Sequence, residues 1–182
     1  MEPKKENLFK EVLKFSLIAI LIVAPIRIFI AQPFIVSGAS MEPAFGSKEY
    51  LIVDQLSYRF EEPKRGEVII FKYPNDPSVF FIKRIVGLPQ ETVKMQDGKI
   101  TIKNEEFPDG TPLEEPYIKE ETTDTFTAIL GKGEYFVLGD NRKHSSDSRI
   151  WGSLERKFIV GKAFARLLPV TDIEIKPGDY SR

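Results

Sequence analysis

Apolar residues run without a charge from Phe15 to Ile26, and beyond Ser40 the chain breaks into short runs of alternating or β-branched residues. The first pattern predicts a helix. Taken from Val12 to Ala31 it reaches the roughly 20 residues that a membrane crossing needs. Lys14 and Arg27 fall near its ends, where long basic side chains can reach the headgroups. Pro25 kinks this helix or sits near its outer end, and Pro33 marks its stop. Two other readings fit less well. A cleavable secretory signal cut after Ala31 puts Phe29 where a small residue is wanted. A buried core helix has no partner helix elsewhere in the sequence. Lys4, Lys5, Lys10 and Lys14 precede the apolar run, so the basic bias places residues 1–11 in the cytoplasm and the remainder outside.

The second pattern predicts strands. Tyr50–Val53, Glu67–Phe71 and Val79–Ile82 are dense in β-branched and aromatic residues. Glu91–Met95 and Lys99–Lys103 alternate around Asp97-Gly98, which reads as a hairpin with its turn. Tyr135–Leu138 and Phe158–Leu168 supply later strands. Only Ser153–Lys157 reads as a helical turn, with Ser153 as its cap. The expected architecture is mostly β: a catalytic-size domain over 32–171 behind one transmembrane helix over 12–31. Residues 104–125, rich in Glu, Asp, Thr and Pro, read as an exposed acidic excursion within that domain. Residues 172–182 read as a polar, frayed C-terminal tail.

Composition narrows the chemistry. The 182 residues are 42% hydrophobic and 29% charged with a net charge of −1, so a globular core is affordable and no basic block points to nucleic acid. There is no cysteine and one histidine, His144. That excludes disulfides, a thiol nucleophile and zinc held by cysteines or several histidines.

Three segments carry candidate chemistry. Ser37-Gly38-Ala39-Ser40-Met41-Glu42-Pro43 puts a serine in a small-residue setting just after the apolar run, but a hydroxyl needs a base to become a nucleophile. Lys83 lies in Phe80-Phe81-Ile82-Lys83-Arg84-Ile85-Val86. Burial in such a strand depresses an amine's pKa and makes it a usable base. Alternation turns Arg84 to the opposite face. By the strand alone, Lys83 reads first as an edge lysine pointing outward. The polar loop Gly139–Gly152 holds Asp140, Arg142, Asp147 and Arg149 with several hydroxyls, a set able to satisfy itself as an ion-pair network or simply to form a turn. A Ser40–His144–Asp147 triad is also imaginable.

Together, in this order and behind an anchor, the segments resemble the motif boxes of type I signal peptidases, the bacterial leader peptidases of the Ser/Lys class. The resemblance runs from the anchor to about Leu168. It implies a signal-peptidase/LexA-like β-fold, Ser40 as nucleophile and Lys83 as general base. It implies that Ser145 orients the lysine, that Asp147 and Arg149 hold the site rigid, and that Asp140 pairs with Arg84. Phe34, Val36, Met41 and Ile82 fall at substrate-pocket positions, and the Ser40 backbone N–H would bind the oxyanion. Gly38 stands where some members carry a second, hydroxyl donor. Ala44, Gln90-Glu91 and Lys143-His144 also depart from the common pattern, away from the proposed chemistry. The resemblance further implies no cofactor or metal and exported preproteins as substrates. It implies contact with membrane lipid and the secretion translocon, and a single-pass location in the bacterial cytoplasmic membrane. A self-cleaving repressor of the LexA type shares the fold, but the anchor-like segment argues against it. So do the intact Ser40, Lys83 and Ser145 against a tethered binding domain with a decayed site.

Overall fold

In the computed structural model, residues 8–25, 31–120 and 122–180 are described. Helix α1 spans Leu8–Pro25. It carries Lys10, Glu11 and Lys14 in its first half, and no described helix is long and apolar enough to cross a membrane. Residues 1–7 of the expected N-terminal segment and 26–30 of the expected 12–31 anchor lie outside the described residues. Pro33 does not stop a helix. It sits inside strand β1, Ala31–Ile35, paired to Ile52. β1 is an edge strand, where a missing N–H is tolerated.

From there the chain is β-rich, in keeping with the period-2 reading. β2 (Tyr50–Asp54), β3 (Val68–Tyr73) and β4 (Asp76–Gly87) are followed by the hairpin β5 (Thr92–Gln96) and β6 (Lys99–Lys103). Then come β7 (Thr111–Pro112), β8 (Phe126–Ile129) and β9 (Glu134–Leu138). The single helical turn α2 (Ser148–Trp151) precedes β10 (Leu154–Glu155), β11 (Ile159–Leu168) and β12 (Glu174–Ile175). The helical turn expected at Ser153–Lys157 is displaced. α2 starts five residues earlier, capped by Asp147, whose side chain accepts from the Arg149 N–H. Leu154–Glu155 pair with β9, and of the expected turn only its end is helical, a 3-10 turn over Arg156–Phe158 that Ser153 does not cap.

All pairings are antiparallel. The large sheet runs β1-β2-β11-β3-β4-β9-β10, with β12 on β11, and the small one runs β7-β6-β5-β8. β3 is buried on both faces: Val68 and Ile70 join Met41, Phe45, Leu51 and Val53, while Ile69 and Phe71 join Ile85, Tyr135 and Val137. A third cluster, including Val86, Leu138, Val93 and Ile102, glues the two sheets together. Register shifts in β11 and between β4 and β9 bend the large sheet, as bulges do.

The acidic stretch 104–125 is exposed over most of its length, yet Tyr117 is buried and Glu115, Glu120 and Asp124 each form an ion pair with the 139–152 loop. The tail is not frayed over its described part. Ile175 pairs with Ala165 and the Lys176 N–H donates to the Phe164 carbonyl at 2.7 Å.

Candidate active site

Ser40 lies on the loop between β1 and β2. The loop's ends are joined by Val36 N–H to Glu49 O at 2.9 Å and Lys48 N–H to Val36 O at 2.8 Å. Inside it the chain winds into a turn, with Phe45 N–H donating to Met41 O at 2.9 Å. Lys83 sits where β4 loses one neighbour. β9 pairs with β4 from Arg84↔Leu138 onward, and after Leu138 the chain leaves as the 139–147 loop. Among the described residues β4 is therefore paired only to β3 along Phe80–Lys83. In that gap Lys83 Nζ lies 2.7 Å from Ser40 Oγ, in hydrogen-bond geometry, and donates to the Ile82 carbonyl at 2.8 Å. Phe81 stands 5.3 Å from the amine. The lysine is 4% exposed. Burial brings its pKa down from 10.5 to about 8, against the pull of the Asp147 and Asp140 carboxylates. Far from being an outward edge residue, Lys83 is buried against the serine.

Arg84 is buried more completely still. Its Nε and Nη2 hold both oxygens of Asp140 at 2.8 and 2.6 Å. This bidentate pair ties β4 to the loop after β9. Asp147, fully buried, accepts from the Gly139 N–H at 3.1 Å and from Arg149 Nε and Nη2 at 2.8 and 2.9 Å. Burial works to raise its carboxyl, but the Arg149 bonds and charge hold it below the usual range. Arg149 also reaches Asp124 and the Arg142 carbonyl, and Arg142 reaches Gly139 O and Glu115.

Gly139 belongs to this packing by necessity. A Cβ there would fall 2.3 Å from Ser145 Oγ and 2.4 Å from Ser40 O. Ser145 Oγ is buried beside Asp147, whose carboxyl it helps to hold low without reaching full hydrogen-bond geometry, and no bond joins it to Lys83. Within the described residues no hydrogen bond occupies the Ser40 N–H. His144 is exposed and shares no hydrogen bond with Ser40 or Asp147, so the triad geometry is absent from the described residues. No cluster of metal-ligating side chains occurs among them either.

Beside the pair lies a cleft of about 270 Å³ that takes in Phe34, Val36, Leu51, Ile70, Phe80 and Ile82, with Ser40, Lys83, His144 and Ser146 on its polar side. Phe34, Val36 and Ile82 stand in its wall. Met41 does not. It is 1% exposed and packs in the core with Phe45 and Leu51, because the turn after Ser40 rotates its side chain inward. Phe80, Leu51 and Ile70 were not foreseen as pocket residues, although Phe80 shares the parity of Ile82 along β4. Asn141 was likewise missed. Its N–H donates to Ser40 O at 3.0 Å and its side chain to Ala39 O at 3.1 Å. It stood unassigned in the polar loop, and no local pattern distinguishes it there.

A buried amine of lowered pKa touching a loop serine, beside an apolar cleft and a free backbone N–H, has the parts of a serine hydrolase with a lysine base. Comparison with known proteins gives the family. Residues 9–168 match the family model described as signal peptidase, peptidase S26. A probable signal peptidase I-1 of Synechocystis sp. is 33% identical over 177 residues, 93% of this chain and 87% of that protein. A signal peptidase I of Bacillus licheniformis is 33% identical over 182 residues, 93% of this chain and 94% of that protein. The crystal structure of a signal peptidase I from Enterococcus faecalis V583 is 32% identical, covers 56% of this chain and 97% of that one, and superposes with a TM-score of 0.49. The chain belongs to the signal peptidase family, peptidase S26.

Proposed function

We propose that this chain is a membrane-bound serine endopeptidase that cuts N-terminal signal peptides from exported preproteins, with Ser40 as nucleophile and neutral Lys83 as general base. The observation that carries the reading is the 2.7 Å contact between Ser40 Oγ and the buried Lys83 Nζ. An amine with a pKa near 8 is partly neutral at physiological pH and accepts the hydroxyl proton as Oγ attacks the scissile carbonyl carbon. The oxygen charge that develops is met by the Ser40 N–H. The tetrahedral intermediate collapses, the C–N bond breaks, and the Lys83 proton passes to the leaving amine. An ester on Ser40 remains. Lys83, neutral again, takes a proton from water as the water oxygen attacks the ester carbon, and returns it to Ser40 Oγ as the C–Oγ bond breaks. The signal peptide leaves as an acid that ionises to its carboxylate. Asp140, Arg84, Asp147 and Arg149 keep the two reacting groups in register, and Ser145, buried beside Gly139, steadies the lysine side of the site.

The free edge of β4 along Phe80–Lys83 suits a substrate bound as an added strand. Alternate substrate side chains then enter the cleft between Phe34, Val36 and Ile82, which favours small apolar residues at the first and third positions before the cut. Membrane attachment rests on the apolar run of α1 and the apolar sequence between it and β1, with the N-terminus inside and the catalytic domain outside. Exposed Leu168, Val170, Ile173 and Ile175 on the domain are in keeping with a lipid-facing surface. Substrates emerging from the secretion translocon would meet the site there. The test is the full chain in detergent with a preprotein, beside Ser40→Ala. Cleavage by the first alone supports the reading. Cleavage by both, or by neither, ends it.

A further inference from the structure

Arg84 is buried from a side that the catalytic machinery does not supply. Its Nη1 donates to Gly178 O at 2.6 Å, as well as to Gly66 O at 2.8 Å. Its guanidinium lies 4.1 Å from the Tyr117 ring and 5.3 Å from the Tyr180 ring, and the two rings are 5.4 Å apart. Gly178 and Tyr180 belong to the C-terminal tail, Tyr117 to the acidic excursion. The tail reaches this place by design of the chain: β12 pairs with β11, Lys176 N–H bonds Phe164 O, and Asp179 N–H bonds Lys176 O at 3.2 Å to close a turn. At its apex Gly178 has φ of 70°, where a side chain is strained. A Cβ there would come within 2.9 Å of the Phe45 ring and 3.3 Å of Arg84 Nη2. So the tail touches both halves of the site at once. Arg84 is the residue next to Lys83, and Phe45 closes the turn that begins at Met41, next to Ser40.

We propose that residues 177–180 form a clip that holds the lysine strand and the serine loop together, with Tyr180 and Gly178 as positioning residues for catalysis. The clip rests on the Ser/Lys reading for its effect on turnover, but it has a consequence of its own. Loss of the clip loosens the segment that Arg84 and Asp140 secure, so the Asn141 N–H that bonds Ser40 O opens more often.

Tyr180 is 45% exposed, so its replacement tests the clip with little risk to the core. Tyr180→Ala is expected to lower kcat about tenfold with KM near that of the parent, since small displacements at a reacting pair are costly. Tyr180→Phe, which keeps the ring over Arg84, is expected to restore it. A chain ending at Lys176 is expected to lose about a hundredfold. In both deficient variants, amide exchange at Asn141 is expected to accelerate, a readout that needs no turnover. Parental kcat in Tyr180→Ala and in the shortened chain would overturn the clip, as would a loss confined to KM, failure of Tyr180→Phe to rescue, or unchanged exchange at Asn141. If the parent and Ser40→Ala cleave alike, the Ser/Lys reading falls, and the exchange measurement still decides the clip.

Discussion

The backbone N–H of Asn141 donates to the carbonyl oxygen of Ser40 at 3.0 Å, and its side-chain amide takes the carbonyl of Ala39 at 3.1 Å. The loop after β9 thus grips the nucleophile's own peptide units, 101 positions earlier in the chain. Asn141→Ala keeps the backbone bond and loses the side-chain one. It is expected to lower kcat about tenfold with little change in Tm, because a neutral, partly buried hydrogen bond contributes only about 1 kcal/mol to folding. Steady-state kinetics beside a thermal melt check this. Equal losses in both would show Asn141 to be structural only.

Glu115 closes the buried ring around Arg142, whose side chain is 2% exposed. Removing one partner of a buried pair strands the other charge. Glu115→Ala is expected to destabilise by about 3 kcal/mol, and Glu115→Leu with Arg142→Met together by clearly less than the two single changes summed. Denaturant unfolding of the four proteins completes the cycle. Additive effects would mean that the excursion does not brace the loop.

Burial of Lys83 has a price in stability with a defined pH window. Its folded pKa, about 8, is below its unfolded value of 10.5. Between those values the unfolded chain binds the extra proton, so stability rises with pH, and below pH 8 the penalty is fully present. Lys83→Met, which fills the same space without charge, is expected to be more stable than the parent at pH 7 by up to about 3 kcal/mol. The gain shrinks as pH rises through 8 toward 10.5. Unfolding free energies measured from pH 6 to 10 give the slope.

Phe34 and Phe80 stand with ring centroids 5.3 Å apart and bound the cleft at a distance from the pair. Phe80 precedes Lys83 by three residues on an extended strand, about 10 Å. Counted from the residue after the cut, a substrate strand covers the same distance in three residues, which places the third residue before the cut against these rings. Phe80→Ala is expected to raise the ratio of kcat/KM for leucine over alanine at that position about tenfold. Peptides varied at the first and third positions test it. A change centred on the first position would contradict the placement.

The β-rich body was readable because period-2 runs and the Asp97-Gly98 turn are local signals, and Lys83 stood out as a charge among apolar neighbours. The same locality explains the misses. Glu115 with Arg142, Asp124 with Arg149 and Gly178 with Arg84 are joined only by the tertiary fold, and charges in irregular loops carry no period. Met41 is a pocket position only by the resemblance, and the turn after Ser40 carries its side chain into the core instead. The Asp147 cap of α2 was present in the sequence but was absorbed into the ion-pair assignment, and in the structure Asp147 does both.

The central claim is that Lys83 acts as a neutral base on Ser40, and the pH dependence of kcat/KM tests it most directly. The profile is expected to rise tenfold per pH unit on its acid side and bend near pH 8, the value set by burial of the Lys83 amine. An acid limb that bends near pH 6.5, the ordinary range of histidine, and disappears in His144→Ala while Lys83→Ala stays active would contradict it.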